Sequence, residues 1–226
     1  MSAKAVTALY SDEVAPVKVH VVPDLLHKIA DLVLDGYSAT SHGGLEVGGL
    51  LFGRRISGFV TIEDFRALEC DHSLGPRFIL SDRDERGLRD LLKAPAIDPA
   101  LQGLRVVGWY SSHTRSDLLL LDRELVLHDT YFSGSDEFVI ILKPRDLRSV
   151  TAGIFLRGAD RKIDRQCPST VLELPALAAV PENSCTATTQ KCDLPALKSR
   201  PTPPAAKRDA LAWPSISRAI EHDGFD

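Results

Sequence analysis

The chain lacks basic runs, long apolar runs and a convincing secretion signal. Its 27 Lys and Arg are outnumbered by 31 Asp and Glu, and no segment interleaves basic with aromatic residues, which argues against nucleic-acid binding. The longest apolar stretches, such as residues 118–121 and 138–142, are far shorter than the ~20 residues needed to cross a bilayer. The N-terminal residues make a poor signal peptide, with a single Lys and a weak apolar segment. We therefore predict a cytoplasmic protein that binds neither nucleic acid nor membrane.

The sequence also lacks the cysteine spacing of a metal site. The four cysteines are Cys70, Cys167, Cys185 and Cys192, and they form no CxxC pair and lack the spacing of a structural zinc site. We expect free thiols in a reducing compartment, with a Cys185–Cys192 disulfide as the alternative.

The composition of the chain changes near Lys162. Eight of the 14 prolines follow it, and the only aromatic residues beyond it are Trp213 and Phe225. Such a segment buries too little apolar surface to offset the entropy of ordering it. We predict a flexible N-terminus over residues 1–15, a folded domain over 16–162 and a mostly disordered, Pro-rich tail over 163–226. Within the tail, an apolar island at residues 211–220 is either a docking segment or unspecific apolar content.

Apolar periodicity inside the predicted domain alternates between that of strands and that of helices. The pattern predicts strands at 17–22, 46–54, 59–63, 103–112, 138–143 and 152–157, and helices at 23–36, 81–92 and 122–132. Ser81 and the acidic residues that follow it are typical of a helix start. The sequence therefore predicts a mixed α/β domain with a sheet flanked by helices.

Two segments carry the clearest motif of the chain. The first runs Leu-Glu-Val-Gly-Gly-Leu-Leu-Phe-Gly over 45–53, and the second runs Val-Gly-Trp-Tyr-Ser-Ser-His over 107–113. Together they resemble the JAB1/MPN/Mov34 (JAMM) domain family. The family pattern is a strand Glu, then Gly-Trp-x-His-x-His-Pro, then a Ser and an Asp eight and eleven positions after the second His. The resemblance covers residues 16–160 and implies a JAMM/MPN-like α/β fold.

The resemblance also implies a zinc site and a role for each residue around it. Glu46 takes the position of the general base, and His113 and Glu124 take positions of Zn²⁺ ligands. Ser111 stands where the family has its first His, and a neutral hydroxyl is a poor zinc ligand. Leu121 stands where the family has a Ser that stabilises an oxyanion, and losing one such donor lowers turnover by about 10²–10³. Thr114 takes the place of the Pro.

Three other residues are candidates for the missing ligand. His128 shares a helical face with Glu124 but lies a turn further from the strand end. Asp122 qualifies only if the loop after His113 is two residues shorter than in the family. His42 lies just before Glu46, where a solvent-exposed loop histidine is the simpler interpretation.

Two further features have ordinary explanations beside functional ones. Gly48, Gly49 and Gly53 are better explained by close strand packing than by a phosphate-binding loop, because no Lys-Ser/Thr and no helix follow them. The segment at 76–78 is either an ordinary turn or part of a substrate-facing edge. Trp109 and Tyr110 are predicted to be core residues.

The sequence leads to two functional hypotheses. The first is a JAMM-type zinc metallopeptidase or isopeptidase that hydrolyses amide bonds, with impaired zinc ligation at Ser111 and little or no catalysis. The second is a metal-free MPN-type binding or scaffolding module. Both imply a protein or peptide as substrate or partner, and the family resemblance is compatible with a homodimer. Glu46 and His113 favour the first hypothesis, whereas Ser111 and Leu121 favour the second.

Overall fold

A computed structural model of the chain describes residues 7–8, 18–41, 43–56, 58–132, 134, 136–158 and 160–175. The predictions for His42, for Cys185 and Cys192 and for the tail beyond residue 175 lie outside these residues.

The described residues form one mixed sheet with helices on both faces. Its strands are β1 (Thr7–Ala8), β2 (Lys18–Val21), β3 (Gly48–Ile56), β4 (Phe59–Ala67), β5 (Arg105–Ser112), β6 (Phe138–Asp146), β7 (Ser149–Phe155) and β8 (Thr170–Pro175). Their order is β1-β2-β4-β3-β5-β6-β7-β8. The β2–β4 and β5–β6 pairs are parallel and the other pairs are antiparallel. The predicted mixed α/β class is confirmed.

Within the described ranges, three α-helices cover the sheet: α1 (Pro23–Ser38), α2 (Asp82–Lys93) and α3 (Asp122–Tyr131). Side-chain alternation along the strands separates two apolar cores. Tyr110 of β5 lies in the core that α1 completes. Its neighbour Trp109 lies in the core that contains α2 and α3 residues such as Leu88 and Leu127. None of the helices in the described ranges is long and apolar enough to span a membrane.

The sheet continues past residue 162, where the composition changes. Residues 170–175 form strand β8, which pairs antiparallel with β7. Its alternating Leu172 and Leu174 are buried against the α1 core. A short alternating segment therefore adds a strand despite the surrounding Pro-rich composition.

Glycines of β3 allow neighbouring strands to approach closely. A Cβ at Gly49 would lie 2.1 Å from the carbonyl oxygen of Arg66, and one at Gly53 would lie 1.7 Å from that of Thr61. Both contacts are with β4, the adjacent strand. Close strand packing is thus the structural role of these glycines, as the sequence indicates.

Candidate functional site

The four residues of the motif meet where β3, β5 and α3 converge. Glu46 precedes β3 by two residues, Ser111 lies near the end of β5, His113 follows that strand, and Glu124 lies in the first turn of α3. Gly48 of β3 pairs with Ser111, which brings the start of β3 beside the end of β5. Glu46, Ser111 and His113 are fully buried, and Glu124 is 3% exposed. The structure therefore assembles the predicted residues inside the protein.

Backbone hydrogen bonds hold the end of β5 in place. Ser112 N–H donates to the carbonyl of Val47 at 2.8 Å, and Val47 N–H donates to Ser112 Oγ at 2.8 Å. His113 N–H donates to the carbonyl of Leu142 in β6 at 2.8 Å. The backbone of residues 112–113 is thus held between the start of β3 and strand β6.

His113 and Glu124 form a direct, buried pair. His113 Nε2 lies 2.6 Å from Glu124 Oε1, and its Nδ1 lies 2.9 Å from the carbonyl oxygen of Asp117. The carbonyl oxygen of Asp117 can only accept, so His113 Nδ1–H donates to it, while Nε2 faces the carboxyl group of Glu124. Burial lowers the pKa of His113, but the hydrogen bond and charge of Glu124 outweigh burial and leave the pKa raised.

Glu124 also holds the start of its own helix. Its Oε2 accepts a hydrogen bond from Leu121 N–H at 2.8 Å. Leu121 is the N-cap residue of α3 and makes no side-chain cap, because its side chain carries no polar atom. The two oxygens of Glu124 are therefore both engaged, one by the helix start and one by His113.

Glu46 joins two loops to the strand. Its Oε2 accepts from Phe78 N–H at 3.0 Å, and its Oε1 accepts from Thr114 N–H at 3.3 Å. Glu46 N–H donates to the carbonyl of Pro76 at 2.8 Å. The 76–78 segment, for which the sequence allows a turn or a substrate-facing edge, thus packs directly on the carboxylate of Glu46.

Arg123 is a member of the cluster that the motif did not reveal. Its Nη2 lies 3.7 Å from Glu46 Oε2 and 4.0 Å from Glu124 Oε1. The guanidinium therefore lies near both buried carboxylates. The sequence holds a weak signal, because the helix dipole disfavours a cation in the first turn of a helix and nearby acidic side chains offset that cost.

Ser111 lies on the same face of β5 as Trp109, because side chains two residues apart share a face. Its hydroxyl is buried and has no hydrogen-bond partner among the described residues. A buried hydroxyl without a hydrogen-bond partner costs free energy, so the Ser111 side chain is unfavourable in this arrangement.

The two helical alternatives lie away from the cluster. His128 Nδ1 accepts a hydrogen bond from the indole Nε1–H of Trp109 at 3.1 Å. Burial lowers the pKa of His128 to about 4, and the charge of Arg157 adds to that shift. Asp122 is 85% exposed at its side chain and pairs with Arg165 at 2.6 Å. Neither side chain is directed to His113.

As arranged in the described part of the chain, the cluster does not form a three-ligand zinc site. Among the residues that the structure describes, no group of three His, Cys, Asp or Glu side chains is placed to hold a metal. Tetrahedral zinc keeps two ligand atoms roughly 3.3 Å apart, given ligand distances near 2.0–2.1 Å, whereas the nitrogen of His113 and the oxygen of Glu124 are 2.6 Å apart. A ligand imidazole must also be unprotonated at the coordinating nitrogen. Arg123 adds a positive charge beside the same carboxylate.

A cleft opens beside this cluster, between the 78–80 segment and α3. Its volume is about 410 Å³. Much of its lining is apolar or aromatic and comes from Phe78, Leu80, Trp109, Leu127 and Tyr131. The cluster borders the cleft through Arg123 and Glu124. An apolar cleft with a few converging polar groups is the usual form of a binding site.

Comparison with known proteins gives little beyond the structure itself. No family model matches the chain, and no curated protein matches it. A solution structure of a protein from Desulfitobacterium hafniense is 18% identical and covers 64% of this chain and 88% of that one, with a TM-score of 0.44. A solution structure of a Salinibacter ruber protein is 21% identical and covers 73% of this chain and 96% of that one, with a TM-score of 0.39. Likeness at this level supports no argument about function.

Proposed function

We propose that the chain is a JAMM/MPN-like domain that serves as a metal-free module for binding a protein or peptide. The apolar cleft beside the cluster is the observation that carries this proposal. It offers about 410 Å³ to a partner side chain or short segment, and polar groups stand at one end. A cytoplasmic location and a homodimer stay predictions.

The chemistry of the cluster supports binding rather than hydrolysis. The imidazole of His113 is engaged at both nitrogens, by the carbonyl of Asp117 and by the carboxyl group of Glu124. Glu46 is enclosed, with both carboxylate oxygens accepting backbone hydrogen bonds. Position 111 offers only a neutral hydroxyl. Of the cluster, Arg123 and Glu124 line the cleft.

The competing proposal is a JAMM-type zinc metallopeptidase. Its support is that Glu46, His113 and Glu124 lie in one buried cluster, as the resemblance implies. It requires the His113–Glu124 pair to open and Arg123 to withdraw.

Zinc content and hydrolysis separate the two proposals. The full chain is dialysed without chelator, and its zinc content is measured by inductively coupled plasma mass spectrometry before and after incubation with a modest excess of zinc. We expect far less than one zinc per chain and no peptide hydrolysis above that of Glu46→Gln. One zinc per chain, together with hydrolysis that Glu46→Gln abolishes, would establish the metallopeptidase instead.

Peptide selection tests the cleft directly. Val126 lines the cleft and is 66% exposed, and Leu147 lies in the β6–β7 turn and is 65% exposed. Peptides selected from a random library on the full chain are expected to lose at least tenfold in affinity with Val126→Glu and to keep it with Leu147→Glu. Failure to select any peptide, or equal losses in the two variants, contradicts the proposal.

A further inference from the structure

We propose that Arg123 is the resident cation of this cluster and supplies the positive charge that a metal ion would supply. The inference deepens the proposed metal-free function and rests on it. It assigns a role to a residue that the sequence motif does not contain.

The first argument concerns the charge of the cluster. Glu46 and Glu124 are buried, at 0% and 3% exposure. Carboxylates removed from water require compensating charge or protonation. The guanidinium of Arg123 lies 3.7 Å from Glu46 and 4.0 Å from Glu124, so it brings a permanent positive charge to both carboxyl groups without a metal.

The second argument concerns how Arg123 is held. Its Nε and Nη2 atoms are buried and have no hydrogen-bond partner among the described residues. The distances of 3.7 Å and 4.0 Å to the two carboxylates are those of ion pairs rather than hydrogen bonds. The positive charge of the guanidinium, rather than its hydrogen-bonding geometry, therefore accounts for its position.

The third argument concerns its place in the helix. Arg123 is the second residue of α3, where the helix dipole disfavours a cation. Glu46 and Glu124 offset that cost, because they bring two negative charges to the same end of the helix.

The role of Arg123 has a consequence for zinc. A divalent ion placed between the same carboxylates is repelled by the guanidinium. Restoring the missing imidazole with Ser111→His therefore recovers only part of the zinc affinity. Removing the charge at position 123 as well is needed to recover the rest.

The test compares full-length Ser111→His, Ser111→His/Arg123→Gln and Ser111→His/Arg89→Gln by competition with a fluorescent zinc chelator. Arg89 lines the same cleft but pairs with Glu85 at 2.6 Å, which makes it the matched control. We expect Arg123→Gln to tighten zinc binding at least tenfold on the Ser111→His background, and Arg89→Gln to change it less than twofold. Equal effects of the two substitutions, or none, overturn the inference.

A charge-conserving variant separates the charge of Arg123 from its packing. Ser111→His/Arg123→Lys keeps the cation, so its zinc affinity is expected to match that of Ser111→His. If Arg123→Gln fails to fold, the stability of Arg123→Lys in urea tests the inference. We expect near-native stability for Arg123→Lys, and failure of this variant to fold would refute the inference. The wild-type chain tests the proposed function, and the Ser111→His variants test the role of Arg123. One proposal can therefore be refuted while the other stands.

Discussion

His113 Nε2 and Glu124 Oε1 lie 2.6 Å apart, and the two side chains are 0% and 3% exposed. The chain contains an ion pair of equal length on its surface, between Arg89 and Glu85 in α2, where the side chains are 50% and 42% exposed. The two pairs have the same length but differ in burial and in the type of cation. Comparing them shows how strongly a buried pair and an exposed pair each contribute to the free energy of unfolding.

Removing one partner of each pair is expected to give different losses. Glu124→Gln removes the carboxyl partner of a buried histidine whose pKa that partner raises, and breaking a buried ion pair costs about 3–5 kcal/mol of unfolding free energy. Glu85→Gln acts on an exposed pair, so its cost is expected to stay below about 1 kcal/mol. Urea unfolding monitored by circular dichroism measures both. Equal losses would mean that His113 is neutral in the folded protein.

The pH dependence of stability is expected to carry a contribution from His128. Its pKa falls from 6.5 in the unfolded chain to about 4 in the fold. The unfolded state therefore binds more protons between these values, so this contribution is complete above pH 6.5 and is lost as the pH falls towards 4.

The variant His128→Gln isolates that contribution, because its amide oxygen still accepts from Trp109 and does not titrate. Between pH 6.5 and 4, wild type is expected to lose about 1 kcal/mol more per pH unit than the variant. Urea unfolding at several pH values supplies the comparison. His113 has a raised pKa and an opposite pH dependence, but it is present in both proteins and cancels. Parallel curves for the two proteins would contradict the assignment.

The sequence predicts the strands and helices around the site because their apolar residues follow regular periods. The sequence also predicts that Glu46, His113 and Glu124 lie close together. That prediction comes from the family motif and not from the periodicity of apolar residues. Arg123 was missed because no motif position contains it, and its neighbours across the cluster are distant in sequence. The strand β8 was missed because six residues of alternation were outweighed by the surrounding Pro-rich composition.

Substitution by alanine is expected to lower stability at Gly49 but not at Gly87. In Gly49→Ala, the new Cβ would lie 2.1 Å from the carbonyl oxygen of Arg66, so β3 and β4 must separate. We expect a loss of about 2 kcal/mol or more. In Gly87→Ala, the Cβ meets only Leu68 Cδ1 at 3.3 Å, and alanine favours the helix interior by about 1 kcal/mol. Its stability in urea is expected to be unchanged or raised. A stable Gly49→Ala protein would contradict the described pairing of β3 with β4.

The start of α3 is expected to gain stability from Leu121→Ser. Leu121 already has the extended backbone of an N-cap, with φ −79° and ψ 158°, and Glu124 three residues later accepts its N–H. A serine hydroxyl there can accept the N–H of Glu124 and complete a capping box. The gain is expected to be about 1 kcal/mol of unfolding free energy in urea. Leu147→Ser, at a 65% exposed position, is the control and should change stability little. A loss of stability in Leu121→Ser would show that the leucine packs more tightly against the site than the helix start requires.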